Sequence, residues 1–195
     1  MRNSMRLIIA VFVTCLVAAS GLAVTYALTA PRIAEQDRLA EQRSLQAVLA
    51  EADEFVMVED EEMLAIAGDS ADPVQVSGIY RAMTGDQQAG WALRVASRGY
   101  GGPMQLVIGL DTSGSVTGVS ILSMNETPGL GTKVLSEKWF LEQFPGLAAG
   151  FTDSDVRALD AIAGSTRSSN GVRNGVAAAG RIFESVLSGQ EGGAE

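Results

Sequence analysis

An uncharged stretch near the N-terminus limits what this chain can fold into more than any other feature. Residues Leu7–Leu28 contain no Asp, Glu, Lys or Arg. A helix of this length is roughly 33 Å long, which is enough to cross the hydrocarbon core of a bilayer. The apolar region of a cleaved signal peptide usually runs over about 7–15 residues, and Ala27–Ala30 is a poor cleavage site. The stretch therefore predicts an uncleaved transmembrane helix, embedded in lipid over residues 7–28.

The charges on either side of this helix predict its orientation. Arg2 and Arg6 precede it, together with the N-terminal amine, whereas the basic residues Arg32 and Arg38 are offset by nearby acidic residues. By the positive-inside rule, residues 1–6 are expected in the cytoplasm and the rest of the chain on the other side of the membrane. We therefore expect a single-pass membrane protein with an extracytoplasmic, or periplasmic, domain.

The composition excludes several kinds of chemistry. The 195 residues include no histidine and a single cysteine, Cys15. Ser-His-Asp and Cys-His sites, cysteine-ligated iron–sulfur clusters, Cys/His zinc sites and C-x-x-C-H haem attachment are therefore excluded. The net charge of −9, without a basic stripe, argues against nucleic-acid binding. No metal site and no catalytic residue are predicted, and any redox activity must use an organic cofactor or a partner's metal.

The sequence after the membrane segment predicts three further regions. These are a helical stalk over residues 29–55, a folded domain over 56–189 and a frayed tail over 190–195. One apolar face of the stalk is expected to pack on the domain. The members of that face recur at helical spacing, and they are Leu45, Val48, Leu49 and Ala52.

Strand signals dominate the middle of the domain. Apolar or alternating runs over residues 90–96, 104–110 and 116–122 indicate strands, and Asp111–Gly114 is expected to form the hairpin turn between the last two. Because strands lie in the middle and helices at the ends, the fold class is predicted to be antiparallel α+β.

Helices and loops are predicted around these strands. A short helix is expected over residues 137–144 and a long one over 169–187, while residues 59–62 and 68–73 are expected to be solvated loops. Three aromatic side chains of the short helix are expected to face the core, namely Trp139, Phe140 and Phe144.

The first of two stretches with chemical interest runs from Asn125 to Lys133, directly after a predicted strand. Pro128–Gly129 fixes a turn, and Gly131 permits a close approach of the backbone to another group. The spacing is not that of a Walker loop. A plain strand-to-helix turn is the alternative interpretation.

The second stretch, Asp160–Gly171, is a hydroxyl-rich loop that leads into the last predicted helix. Free N–H groups and the positive end of the helix dipole favour a phosphate at that position. Thr166 lies just before the predicted helix start, where its hydroxyl could bind a phosphate or carry one covalently. Ser168 and Ser169 are predicted to cap the helix, and their N–H groups to stabilise the phosphate. An ordinary well-capped helix is the alternative.

Together, the two stretches resemble the extracytoplasmic FMN-binding domain of RnfG, a component of the Rnf electron-transport complex. A relative, the NqrC component of the Na⁺-translocating NADH:quinone reductase, is similar but usually longer. The family pairs a Glu-Thr-Pro-Gly-Leu-Gly turn, intact here at Glu126–Gly131, with a later Asp-x-x-[Ser/Thr]-Gly-Ala-Thr loop that aligns with Asp160–Thr166. The final threonine of that loop forms a phosphoester with FMN in the family. The resemblance therefore implies covalent phosphothreonyl-FMN at Thr166.

The resemblance also implies that the Thr127–Gly131 turn borders the flavin ring. The other predicted cofactor-binding residues come from both stretches, and together with this turn they make up the set Glu126, Thr127, Gly129, Leu130, Gly131, Asp160, Gly164, Ser165, Ser168 and Ser169. The second loop departs from the family pattern, because Ala163–Thr166 reads Ala-Gly-Ser-Thr in place of Ser/Thr-Gly-Ala-Thr. Ser165 is thus an alternative attachment residue.

The function that the resemblance implies is electron relay within a membrane complex. The chain would be a redox subunit of an ion-translocating ferredoxin–NAD oxidoreductase in a bacterial or archaeal plasma membrane, without independent catalysis. Its partners would be the other membrane subunits, and a flavin transferase would attach the FMN. Two alternatives stay open, namely the NqrC component of the quinone reductase and a flavin-free structural or anion-binding subunit.

Overall fold

The computed structural model describes residues 2–126, 129 and 131–190, and the chain divides into two units, 1–41 and 42–195. The first unit is helical throughout its described part and belongs to one long helix, α1 (Arg2–Val48). Apolar side chains of this unit, such as Phe12 and Leu22, are exposed. Within the described residues, α1 is the one helix long and apolar enough to cross a membrane.

The two threonine hydroxyl groups within the apolar part of α1 are satisfied by the helix itself. Thr14 Oγ1 donates to Ala10 O at 2.8 Å, and Thr25 Oγ1 donates to Gly21 O at 2.9 Å. In lipid, a polar group without such a partner would cost several kcal/mol. These threonines therefore fit the proposed membrane segment without needing water or another chain.

The predicted stalk is helical only as far as Val48. Pro31 lies inside α1 and does not end it, and the helix continues for seventeen further residues to Val48. The last two residues of the predicted stalk are not helical, because Glu54 begins the first strand, β1 (Glu54–Met57).

The second unit is built on a five-stranded antiparallel sheet, which confirms the predicted α+β class. Each strand pairs with the strand before it in the chain. The remaining strands are β2 (Gln75–Thr84), β3 (Gln87–Arg98), β4 (Pro103–Asp111) and β5 (Val116–Met124). The predicted turn between β4 and β5 is confirmed, since Gly114 has a φ of +92° and its N–H donates to Asp111 O at 3.1 Å.

The end of α1 packs against one face of this sheet, as its apolar spacing predicts. The apolar side chains of this segment are buried there with Tyr80 and Val107 of the strands. They are the four predicted residues, Leu45, Val48, Leu49 and Ala52.

A pair of glycines permits this close packing. Gly109 and Gly118 lie opposite each other on β4 and β5. A Cβ on Gly118 would lie 2.8 Å from Val48 Cα, and a Cβ on Gly109 would lie 2.6 Å from Val48 O. Thr117 Oγ1 donates to the same carbonyl at 2.6 Å, which satisfies one of the free acceptors at the end of α1.

The other face of the sheet carries the main hydrophobic core and the remaining helices. They are α2 (Glu61–Ala71), α3 (Lys133–Ser136), α4 (Lys138–Glu142), α5 (Asp153–Ala158) and α6 (Thr166–Ile182), the last continued by a π-helical turn (Phe183–Leu187) and a 3₁₀ turn (Ser188–Gln190). The predicted tail lies, apart from Gln190, outside the described residues.

Helix α2 contradicts the loops predicted over residues 59–62 and 68–73. Asp60 caps its N-terminus, because Asp60 Oδ1 accepts the N–H groups of Glu62 and Met63, each at 3.0 Å. The buried face of α2 consists mostly of small side chains, which give a weak periodic signal. Its buried residues are Met63, Ala67 and Ala71.

Two further predictions need correction. Phe140 and Phe144 are buried as predicted, but Trp139 is 44% exposed and its Nε1 donates to Glu137 at 3.2 Å, so its predicted core position is wrong. Helix α6 begins at Thr166, earlier than the predicted start.

Helix α6 approaches the sheet through two glycines one turn apart. A Cβ on Gly171 would lie 2.8 Å from Arg98 O, and a Cβ on Gly175 would contact β4 just as closely. Ser97 Oγ of β3 donates to Gly171 O at 2.7 Å inside the core. These contacts hold the N-terminus of α6 beside the turn between β3 and β4.

Candidate functional site

The hydroxyl-rich loop before α6 is held by short hydrogen bonds at both ends. The Gln143 amide donates to Asp160 O and accepts from Asp160 N, each at 2.9 Å. At the other end, Ser169 Oγ accepts the Ile162 N–H at 3.1 Å and donates to Ser165 O at 3.0 Å. The conformation of the loop is thus fixed by its own side chains and by the residue that follows α4.

Gly164 produces the turn that leads into α6. Its φ of +77° is in the left-handed region, which favours glycine over residues with a side chain. Ser165 follows as the N-cap residue without a side-chain capping bond, and Thr166 is the first helical residue. The first bond of the helix runs from Ser169 N to Ser165 O, so the N–H groups of residues 166–168 precede the helical ladder.

This geometry corrects the predicted capping by Ser168 and Ser169. Both residues lie within the first turn of α6 and are buried, with exposed fractions of 1% and 0%. Ser169 Oγ bonds within the loop, whereas Ser168 Oγ has no hydrogen-bond partner in the described part of the chain.

The N-terminus of α6 opens onto a cavity of about 340 Å³. Its lining brings together the turn between β3 and β4, the loop after β5 and the start of α6. The lining residues are Tyr100, Gly131, Gly164, Ser165, Thr166, Arg167 and Ser168. Thr166 is exposed to this space, whereas only 5% of Ser165 is exposed.

The structure thus places five predicted site residues on the lining of one cavity, while others are not among its described lining residues. Asp160 and Ser169 hold the loop, and Glu126 bonds to the backbone of the β3–β4 turn. Gly129 has a φ of +80° and its N–H donates to Thr132 Oγ1 at 2.9 Å. The predicted contacts of Thr127 and Leu130 lie outside the described residues.

Sequence reasoning did not assign Tyr100, Arg167 or Lys133 to the site. Tyr100 and Arg167 line the cavity, and Lys133 Nζ lies 3.9 Å from a Cβ built on Gly164. Tyr100 stands between glycines, and the glycines are a sequence signal of the turn that carries it.

The charges around the cavity favour an anion. Lys133 and Arg167 provide two cations, and the start of α6 adds the positive end of a helix dipole. Among the described residues that line the cavity, none is acidic. The described part of the chain also contains no group of His, Cys, Asp or Glu suited to a metal ion.

A second cavity of about 320 Å³ lies next to the first. Tyr100 and Arg167 line both cavities and thus stand between them. Its other lining residues are Arg98, Gly99, Asn170, Gly171 and Asn174.

The chemistry that this arrangement allows is phosphate binding beside an accessible hydroxyl. Activation of a threonine oxygen as a nucleophile needs a base, and the described residues of the lining offer neither a carboxylate nor an imidazole. The cavity has room for a phosphate group beside Thr166.

Comparisons with known proteins give consistent results. A family model described as "FMN-binding domain" matches residues 99–180, and one described as "RnfG N-terminal region" matches residues 2–48. The chain is 31% identical to the RnfG-type subunit of the Na⁺-translocating ferredoxin:NAD⁺ oxidoreductase complex of Acetobacterium woodii, over 90% of this chain and 89% of that one. It is 27% identical to the corresponding subunit of the proton-translocating ferredoxin:NAD⁺ oxidoreductase complex of Clostridium ljungdahlii, over 84% of this chain and 83% of that one.

A solved structure shares the fold. The NqrC component of the Na⁺-translocating NADH-quinone reductase from Parabacteroides distasonis matches with a TM-score of 0.54 and 18% identity. The match covers 80% of this chain and 95% of that one.

Proposed function

Because the chain belongs to the RnfG family of ion-translocating ferredoxin:NAD⁺ oxidoreductase complexes, we propose that it is the electron-relay subunit of such a complex. Its FMN-binding domain is the part that carries the redox group. Membership of this family favours the proposal over the NqrC component of the quinone reductase. The FMN-binding match favours it over a flavin-free structural subunit.

The observation that carries the proposal is the exposed hydroxyl of Thr166 at the start of α6, open to the cavity of about 340 Å³. This volume is within the range of cofactor sites. We propose that FMN is esterified to Thr166 through its phosphate. Ser165 is a poorer acceptor, because only 5% of this N-cap residue is exposed, whereas Thr166 is exposed.

The residues around Thr166 can hold the phosphate group. The N–H groups of Thr166–Ser168 precede the first helical bond and would donate to its oxygens, and the buried Ser168 hydroxyl would find its missing partner there. Lys133 and Arg167 would balance the negative charge. When bound, FMN supplies one- and two-electron transfer at its ring system. The protein contributes position, charge and partial exclusion of water.

Attachment requires a flavin transferase, because the described residues of the cavity lining offer no base. The orientation follows from the basic residues before the membrane helix, so we propose a cytoplasmic N-terminus and an extracytoplasmic domain. The partners are then the other membrane subunits of the complex. A covalent bond would keep FMN from being lost outside the cytoplasm.

The test is attachment of FMN in matched threonine and serine variants. The full chain is co-expressed with a flavin transferase, and FMN is detected as fluorescence after denaturing electrophoresis and by intact mass. The unchanged chain should gain the mass of one FMN less one water. Thr166→Ala should lose the fluorescence, and the neighbouring Ser165→Ala should keep it.

Two outcomes would contradict the proposal. An unmodified mass in the presence of an active transferase would contradict covalent FMN binding. Fluorescence that persists when both Ser165 and Thr166 are alanine would show attachment elsewhere.

A further inference from the structure

One carboxylate joins two loops that border the cavity. Glu126 Oε1 accepts the Tyr100 N–H at 2.7 Å, and Glu126 Oε2 accepts the Gly101 N–H at 3.0 Å. A Cβ on Gly99 or on Gly131 would overlap this carboxylate, so both glycines pack directly against it. The side chain of Glu126 therefore fills the space between the β3–β4 turn and the loop after β5.

The turn held in this way carries an aromatic side chain of the cavity lining. The Gly99 N–H donates to Gly102 O at 2.9 Å and closes the turn. Tyr100 lies at its tip, 58% exposed, and lines both cavities. Hydrogen bonds to Glu126 fix its backbone, and a ring on a fixed backbone has few positions open to it.

We propose that Glu126 is a positioning residue that holds Tyr100 over the cofactor cavity and does not itself contact the cofactor. The inference rests on the proposed function, because the cavity is taken to hold FMN. Both oxygens of the carboxylate are directed at backbone N–H groups of the turn. Glu126 would then affect the flavin only through Tyr100, whose ring would limit access of solvent to it.

The first experiment measures how stably the β3–β4 turn is held in protein that carries no flavin. In the full chain carrying Thr166→Ala, Glu126→Gln leaves one acceptor oxygen and places an NH₂ group against the other backbone N–H. Hydrogen exchange at Tyr100 and Gly101 should accelerate, by about 10- to 100-fold at the amide that loses its acceptor, the size expected for one lost bond to a charged group. Glu142→Gln, at an exposed position of α4, is the matched control and should leave both rates unchanged.

The first experiment is decided by whether the faster exchange is confined to the amides of the β3–β4 turn. Faster exchange at these two amides, with unchanged exchange in the strands, supports the proposal. Unchanged exchange at both amides would overturn it. If Glu126→Gln does not fold, Glu126→Asp keeps the charge but shortens the side chain, and should give the same local acceleration.

The second experiment measures how accessible the flavin is to a quencher in the flavin-loaded full chain. Tyr100→Ala should increase quenching of FMN fluorescence by iodide, Glu126→Gln should also increase it, and Tyr100→Phe should not. Combining Glu126→Gln with Tyr100→Ala should add nothing to Tyr100→Ala alone, because both act through the same ring.

A different pattern would refute this role. If Glu126→Gln still changes quenching or the midpoint potential when Tyr100 is alanine, Glu126 acts on the flavin directly and the proposal fails. Fluorescence in denaturing gels reports attachment separately. A failure of covalent attachment would contradict the proposed function, while the exchange result on flavin-free protein would stand.

Discussion

Ser168→Ala should have opposite effects on the stability of the flavin-free and flavin-loaded protein. The Ser168 hydroxyl is 1% exposed and has no hydrogen-bond partner in the described part of the chain. A buried hydroxyl without a partner costs about 1–3 kcal/mol, and alanine is also the better helix former. Removing the hydroxyl from flavin-free protein should therefore raise the free energy of unfolding by about 1–3 kcal/mol. For a domain of this size that corresponds to a rise in Tm of about 2–12 °C.

The loaded protein should respond in the reverse direction. If the hydroxyl donates to the phosphate on Thr166, the same substitution removes a hydrogen bond to a charged acceptor, worth about 1.5–3 kcal/mol. The measurement is thermal unfolding of the detergent-solubilised full chain. The effect of Ser168→Ala is determined twice, once in the flavin-loaded wild type and once in the flavin-free Thr166→Ala variant. Ser154→Ala, at an exposed position of α5, is the control and should change stability by no more than about 0.5 kcal/mol in either. A similar loss of stability in both backgrounds would refute the reasoning, because Ser168 would then have a partner without phosphate.

Two further predictions concern packing and topology. Gly118→Ala should destabilise the domain by about 1–3 kcal/mol, since its Cβ would lie 2.8 Å from Val48 Cα. Gly68→Ala lies inside α2 with no atom within reach of its Cβ, and should stabilise the domain by up to about 1 kcal/mol. Denaturant unfolding of the full chain measures both variants, and equal effects on stability would refute the packing argument. A C-terminal reporter that is active only outside the cytoplasm should be active on the full chain, because Arg2 and Arg6 precede the apolar segment Leu7–Leu28. Activity of a cytoplasmic reporter instead would refute the orientation.

Periodicity predicts β3, β4 and β5 but not β1, and it predicts the helices less evenly. These three strands carry apolar or alternating runs bounded by turn residues, so their positions and the Asp111–Gly114 hairpin follow from the sequence. The same reasoning does not predict helix α2, because its buried face is formed largely by alanines and its first turn is acidic. An acidic first turn is favourable at a helix N-terminus, yet in sequence it is indistinguishable from a charged loop.

The site, too, is predicted only in part from the sequence. The motif around Thr166 is visible in the sequence, but Ser168 and Ser169 resemble capping residues until their burial is known. The bond between Glu126 and Tyr100 joins residues 26 positions apart. It depends on the register that pairs Met104 with Met124, which brings the β3–β4 turn beside the end of β5. No local pattern encodes that register, because it results from packing of the whole sheet.

The strand order of the sheet has a consequence for how the domain folds during synthesis. Since each strand pairs with the one made just before it, hairpins can form successively as the chain emerges, and loop closure costs little. The cavity cannot form as early, because Gly164–Ser168 and α6 come after the last strand and dock onto β3 and β4. Thr166, the proposed acceptor, is therefore presented only once nearly the whole chain is complete. We expect flavin attachment to be a post-translational step on a folded acceptor rather than a modification of the nascent chain.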